Sequence, residues 1–154
     1  MCGIVGYVGT QEAAPILLDG LRRLEYRGYD SAGMAVCGAE GLQVCKTRGR
    51  LQALADLTEE GRTLTGTLGV GHTRWATHGE PNDINAHPQV SQSGLFAVVH
   101  NGIIENYALL RAQLTAKGYT FRSETDTEVI ANLLEYYYEQ ENDLMKAVRL
   151  TLGR

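Results

Sequence analysis

Cys2 follows the initiator Met1 and opens the run Cys2-Gly3-Ile4-Val5-Gly6. Removal of Met1 would leave one residue carrying both a thiol and a free α-amine. An α-amine titrates near 7.7–8.0, so much of it is neutral at physiological pH and able to take a proton. One residue could then supply nucleophile and base together, which is the N-terminal variant of covalent catalysis. Gly3 and Gly6 would let neighbouring chain come close to that end. The competing reading is an inert core cysteine at the start of a strand.

Further along, residue types suited to acyl transfer recur. Arg74, in Thr73-Arg74-Trp75-Ala76-Thr77-His78-Gly79, offers a planar fork for a carboxylate, or else a surface ion pair. Asn101-Gly102, after an apolar run ending at His100, pairs a side-chain amide with a backbone N–H suited to an oxyanion. The same dipeptide also makes ordinary turns. Asp126 lies in the first turn of an expected helix. There it either complements the helix dipole or faces a substrate ammonium. Histidines 72, 78, 87 and 100 lack zinc-site spacing, and Cys2, Cys37 and Cys45 form no CxxC, so neither metal nor cofactor is expected.

These residues must be held by a scaffold, and hydropathy patterning outlines it. Residues 2–8 read as a short buried strand. Leu17, Leu18, Leu21 and Leu24 mark a helix over about 12–24, with Pro15 near its first turn. Strands follow at about 33–37 and 42–47 around the Gly38–Gly41 turn. Leu51, Leu54 and Leu57 suggest a short helix. Strands are expected at Leu68–His72 and Leu95–Val99, separated by a long polar loop of the kind that carries function. Asn106 is a candidate N-cap for a helix over 107–117. Thr125 and Glu128 have capping-box spacing ahead of a helix bearing Ile130, Leu133, Leu134 and Tyr137. A last helix spans about 143–152.

Composition sets the frame. The chain has 154 residues, 44% of them hydrophobic and 21% charged, with a formal net charge of −4 and eighteen glycines. One globular domain of that size builds a core without staples. No basic run exceeds Arg22-Arg23, which argues against nucleic acid as partner. No apolar stretch reaches membrane-helix length. The odd cysteine count and the lack of a secretory n-region point to a reducing, cytoplasmic setting.

Five runs taken together resemble a known family. They are Cys2-Gly3-Ile4-Val5-Gly6, the segment from Glu25 to Gly33 (EYRGYDSAG), Thr73–Gly79, His100-Asn101-Gly102 and Ser123–Thr127 (SETDT). In this order they are similar to the glutaminase domain of the glutamine–fructose-6-phosphate aminotransferase (isomerizing) family, a class II glutamine amidotransferase. The resemblance implies an α+β fold, the four-layer αββα sandwich of the N-terminal-nucleophile hydrolases, incomplete in this chain. It implies that residues 1–154 are the N-terminal part of a type 2 glutamine amidotransferase domain after Met1 removal, with the sugar-isomerase domains absent. It also implies roles. Cys2 attacks the side-chain amide of L-glutamine, Asn101 and Gly102 hold the oxyanion, and Arg27 positions the catalytic end. Arg74 binds the α-carboxylate and Asp126 the α-ammonium, while Trp75, Thr77 and His78 close the site. Glutamate and ammonia result, and the family uses the ammonia to convert fructose 6-phosphate to glucosamine 6-phosphate through the missing C-terminal domains, as a homodimer. The competing readings are a glutaminase serving a phosphoribosyl or other amino-sugar acceptor, and an inactive truncated fragment.

Overall fold

The computed structural model describes residues 2–25, 29–75 and 80–154. In chain order the elements are β1 (Gly3–Val8), α1 (Ala13–Leu24), β2 (Ser31–Gly38), β3 (Gly41–Arg48), α2 (Leu51–Leu57), β4 (Leu68–Arg74), β5 (Gln89–Val90), β6 (Ala97–Val98), α3 (Tyr107–Ala116), α4 (Thr127–Glu141) and α5 (Leu144–Leu152). The fold is α+β. Four strands form one antiparallel sheet in the order β1-β4-β2-β3, and β5 pairs antiparallel with β6.

The sheet has two differently used faces. Ala32, Met34 and Val36 of β2 pack with Leu17, Leu18 and Leu21 of α1 and Leu51 and Leu54 of α2 in one apolar core. This is the period-two face of a strand meeting the 3.6-residue stripe of a helix. The opposite face receives the chain from 80 to 90. At Gly33 a Cβ would run into the His87 carbonyl oxygen, so that loop lies directly on β2. Lys46 of β3 reaches the same loop and donates to the carbonyls of Ile84 (2.9 Å), Ala86 (3.1 Å) and Pro88 (3.4 Å). Beyond it, α3, α4 and α5 form a second core around Leu110, Leu114, Val129, Leu133, Tyr137 and Ala147.

Several expectations need correction. β1 is an edge strand, not a buried one, and Ile4 and Val8 are 43% and 81% exposed. Its apolar composition serves only the face that carries Val5 and Tyr7 toward α1. Gly3 does permit close approach, since a Cβ there would lie 2.8 Å from Leu24 Cδ1 and 3.1 Å from Thr73 Oγ1, whereas Gly6 faces open space. The strand expected at Leu95–Val99 shrinks to Ala97–Val98, because only Gln89–Val90 pairs with it among the described residues. Asn106 stands at the start of α3, but its side chain accepts no helix N–H; its amide instead donates to the Arg154 carbonyl. The capping box is also rearranged. Asp126 is the N-cap, Thr125 Oγ1 bonds Ser123 Oγ (2.8 Å), and Glu128 accepts from the N–H groups of Arg122 (2.8 Å) and Ser123 (2.7 Å).

Candidate functional site

The site begins where β1 and β4 meet. Their register pairs Gly3 with Thr73 and Ile4 with His72. Side chains alternate along a strand. Gly69 and Gly71 of β4 abut Leu17 and Leu21 of α1, so His72 and Arg74 project from the other face. Gly3 N–H donates to Thr73 Oγ1 (3.1 Å), and the Trp75 N–H donates to Cys2 Sγ (3.1 Å). The nucleophile candidate is thereby held at the end of β4, seventy-three residues away in sequence. It is the Trp75 backbone that touches the sulfur; the residue is 53% exposed.

Asn101 closes the second side. Its Nδ2 donates to the Cys2 carbonyl (3.3 Å) and its Oδ1 lies 2.6 Å from His72 Nε2. An amide that turns Nδ2 toward a carbonyl must present Oδ1 to its other neighbour. His72 is therefore assigned the tautomer with its proton on Nε2. The ring is fully buried. Burial first, then the positive fields of Arg74 and His100, push its pKa down to about 4, against the opposing pull of the Asn101 bond. His87 meets it edge-on with ring centroids 4.6 Å apart. Burial pushes the His87 imidazole even further down.

Arg74 is buried at 4% exposure. Desolvation lowers its pKa, while Asp30, Cys2 and Asp126 pull the other way. The guanidinium thus stands in the field of both the candidate thiol and the Asp126 carboxylate. Asp126 is itself buried, and one of its oxygens accepts from the Ile104 N–H (2.7 Å). The helix start and the stretch just after Asn101-Gly102 are tied together through it. Gly102 is placed beside the His100 ring, where a Cβ would lie 2.8 Å from Nε2.

The structure thus brings Cys2, Arg74, Trp75, Asn101, Gly102 and Asp126 to one end of the sheet. Arg27, Thr77 and His78 lie outside the described residues. Among the described residues no group of three His, Cys, Asp or Glu side chains is placed to hold a metal ion. Sequence reading missed His72 as a member of the site. The available signal was its position two residues before Arg74 in a strand, hence on the same face.

A fixed cation, a fixed anion and a cysteine beside an amide donor suit acyl transfer from a zwitterionic amino acid. The family model described as the glutamine amidotransferase domain matches residues 57–148. The chain is 60% identical over 154 residues to the glutamine–fructose-6-phosphate aminotransferase [isomerizing] of Caldanaerobacter subterraneus subsp. tengcongensis, covering 100% of this chain and 25% of that protein. It is also 60% identical over 153 residues to the protein of the same name from Thermus thermophilus, with 99% and 25% covered. The chain spans about a quarter of the length of the curated relatives it matches. Among solved structures, the glutamine phosphoribosylpyrophosphate amidotransferase of B. subtilis complexed with ADP and GMP superposes with a TM-score of 0.81 at 28% identity, over 99% of this chain and 32% of that one.

Proposed function

The chain belongs to the glutamine amidotransferase domain family, and on that premise we propose that it hydrolyses the side-chain amide of L-glutamine through a cysteinyl thioester at Cys2. Once Met1 has been removed, the α-amine of Cys2 takes the thiol proton, and the sulfur attacks the amide carbon. The oxyanion of the tetrahedral intermediate takes hydrogen bonds from Asn101 Nδ2 and the Gly102 N–H. The proton passes to the leaving nitrogen, the C–N bond breaks and ammonia departs. Water then cleaves the thioester, releasing glutamate and restoring the thiol. Arg74 receives the substrate α-carboxylate and Asp126 its α-ammonium. Thr77, His78 and Trp75 close over the substrate, and Arg27 positions the catalytic end.

The observation that carries this reading is the contact of Asn101 with Cys2, ninety-nine residues apart in sequence. It sets an amide donor beside the nucleophile as the chemistry requires. The proposed acceptor of the ammonia is fructose 6-phosphate, giving glucosamine 6-phosphate. Relatives named for that acceptor are 60% identical, against 28% for the phosphoribosyl enzyme. Acceptor binding is assigned to parts of those relatives that this chain does not span, so residues 1–154 act as the N-terminal part of the glutaminase. Among the described residues no helix is long and apolar enough to cross a membrane, and Cys2, Cys37 and Cys45 are free thiols. Both fit the cytoplasmic setting that belongs to the proposal, as does pairing with a second copy.

Intact mass before and after exposure to an electrophilic glutamine analogue tests the mechanism. The expected result is a chain lacking Met1 that gains one adduct, with none on a Cys2→Ala variant. Mature protein that keeps Met1, or ammonia release by Cys2→Ala, overturns it.

A further inference from the structure

His72 is not one of the groups that meet the substrate in the mechanism above, yet it makes one of the shortest side-chain contacts near the nucleophile. Its Nε2 lies 2.6 Å from Asn101 Oδ1. An asparagine amide can sit in two orientations that exchange oxygen for nitrogen and differ little in shape. Only one of them turns an N–H toward Cys2. In the other, a carbonyl oxygen would face both the Cys2 carbonyl and the developing oxyanion, and the site would repel the charge it has to hold.

We infer that His72 is a positioning residue whose Nε2–H locks Asn101 in the donating orientation. The inference rests on the glutaminase reading above. Three features of the geometry support it. First, β4 projects His72 from the same face as Arg74, so one rigid strand carries both the substrate cation and the support for the oxyanion donor. Secondly, the imidazole has no exposed surface and its Nδ1 has no hydrogen-bond partner among the described residues. The only hydrogen bond found for the ring therefore goes to Asn101. Thirdly, the His87 ring packs edge-on at 4.6 Å and restrains the imidazole from turning away. A neutral ring is needed for a single defined proton, and burial keeps His72 neutral above pH about 4. The two amide hydrogens of Asn101 are then divided. One goes to the Cys2 carbonyl, holding the nucleophile's backbone, and the other, without a partner among the described residues, is left for substrate.

The test compares His72→Gln with His72→Met in the intact protein, by steady-state glutamine hydrolysis. The two side chains have similar length, and Gln keeps an N–H donor where Met has none. His72→Met is expected to lower kcat about tenfold, the loss of one oriented hydrogen bond, with KM within twofold. His72→Gln is expected to stay within about threefold of the parent kcat. Adding Asn101→Ala to His72→Met should cost no more than Asn101→Ala alone, because one residue acts through the other. Parent-like kcat in folded His72→Met, a loss confined to KM, or multiplying losses in the double variant overturns the inference. If His72→Met does not fold, His72→Gln decides alone: a kcat within threefold supports it, and a loss beyond tenfold at unchanged KM overturns it. Parent-like turnover in Asn101→Ala is a different outcome, because it removes the oxyanion reading itself.

Discussion

Two polar clusters share one face of the four-stranded sheet, and they use hydrogen-bonding capacity in opposite ways. At the β3 side, the three donors of the Lys46 ammonium meet three carbonyls of the loop, those of Ile84, Ala86 and Pro88. The nearby Glu128 carboxylate accepts from Arg122 and Ser123. Asn85 is likewise committed, giving Nδ2 to Glu80 O (3.0 Å) and taking the Glu124 N–H on Oδ1 (2.9 Å). At the β1–β4 end, Asn101 commits one of its two N–H groups among the described residues, and the Cys2 thiol accepts from the Trp75 N–H (3.1 Å) and donates only weakly to the Trp75 carbonyl at 3.7 Å. A buried polar group spent entirely on its own backbone holds the chain in place. One that keeps a donor or nucleophile in reserve is built for something that arrives. The chemistry of a cluster is therefore read from its remaining capacity, not from its residue types.

The largest effect expected from this contrast is at Asn101. Asn101→Ala removes one proposed oxyanion donor and should lower kcat by roughly 10²–10³. The melting temperature should fall only modestly, by the cost of the one buried His72 N–H that loses its acceptor, since Asn101 itself is exposed. Parallel turnover and thermal-melt measurements check both halves. A variant that melts early but turns over normally would move Asn101 into the structural class.

The histidines that join the clusters come next. His87 belongs to the loop and His72 to β4, and their rings touch. Both have depressed pKa values in the fold: His72 falls from 6.5 to about 4, and His87 falls further. Above pH 6.5 both are neutral, folded or unfolded, and exert no linkage. Below it the unfolded chain binds protons that the folded chain refuses, so stability present above 6.5 is lost as pH falls toward 4. For His72 alone the gap corresponds to about 3 kcal/mol. His87→Phe keeps the edge-on ring and removes one of these titrations. The slope of unfolding free energy against pH between 6.5 and 4, measured by denaturant titration, should flatten relative to the parent. An unchanged slope would mean that His87 is not held neutral.

Legibility in the sequence followed the same divide between local and distant causes. Leu17, Leu18 and Leu21 repeat at helical spacing, and α1 is where that stripe requires it. β2, β3 and β4 lie close to their expected spans because each pairs with a neighbour over its whole length. β6 did not, since strand length depends on a partner, and Gln89–Val90 offers only two residues. Asn106 and Thr125 carry the right types for caps, but Arg154 and Ser123 compete for their side chains, and that competition is tertiary. In the site, Cys2, Arg74, Asn101 and Asp126 could be singled out because each has a distinctive chemistry of its own. His72 could not. Strand alternation could place it on the face of Arg74, but its role comes from a partner twenty-nine residues later, which that alternation does not encode.

The smallest effect should come from Lys46, and it should have the reverse signature of Asn101. Lys46→Met keeps most of the aliphatic stem but removes all three donors, leaving the carbonyls of Ile84, Ala86 and Pro88 without the ammonium. Unmade hydrogen bonds cost about 1–3 kcal/mol. Some of this is recovered because a charge no longer has to be buried, and burial already draws the Lys46 pKa down to about 8. The net expectation is a lower melting temperature with kcat for glutamine hydrolysis unchanged well below the transition. Both are read on the same preparation, by thermal melt and by glutamate release. If Lys46→Met instead lost turnover on the scale of Asn101→Ala while melting normally, the loop under β3 would be part of the catalytic apparatus. Saturated hydrogen bonding would then no longer distinguish the scaffold from the site.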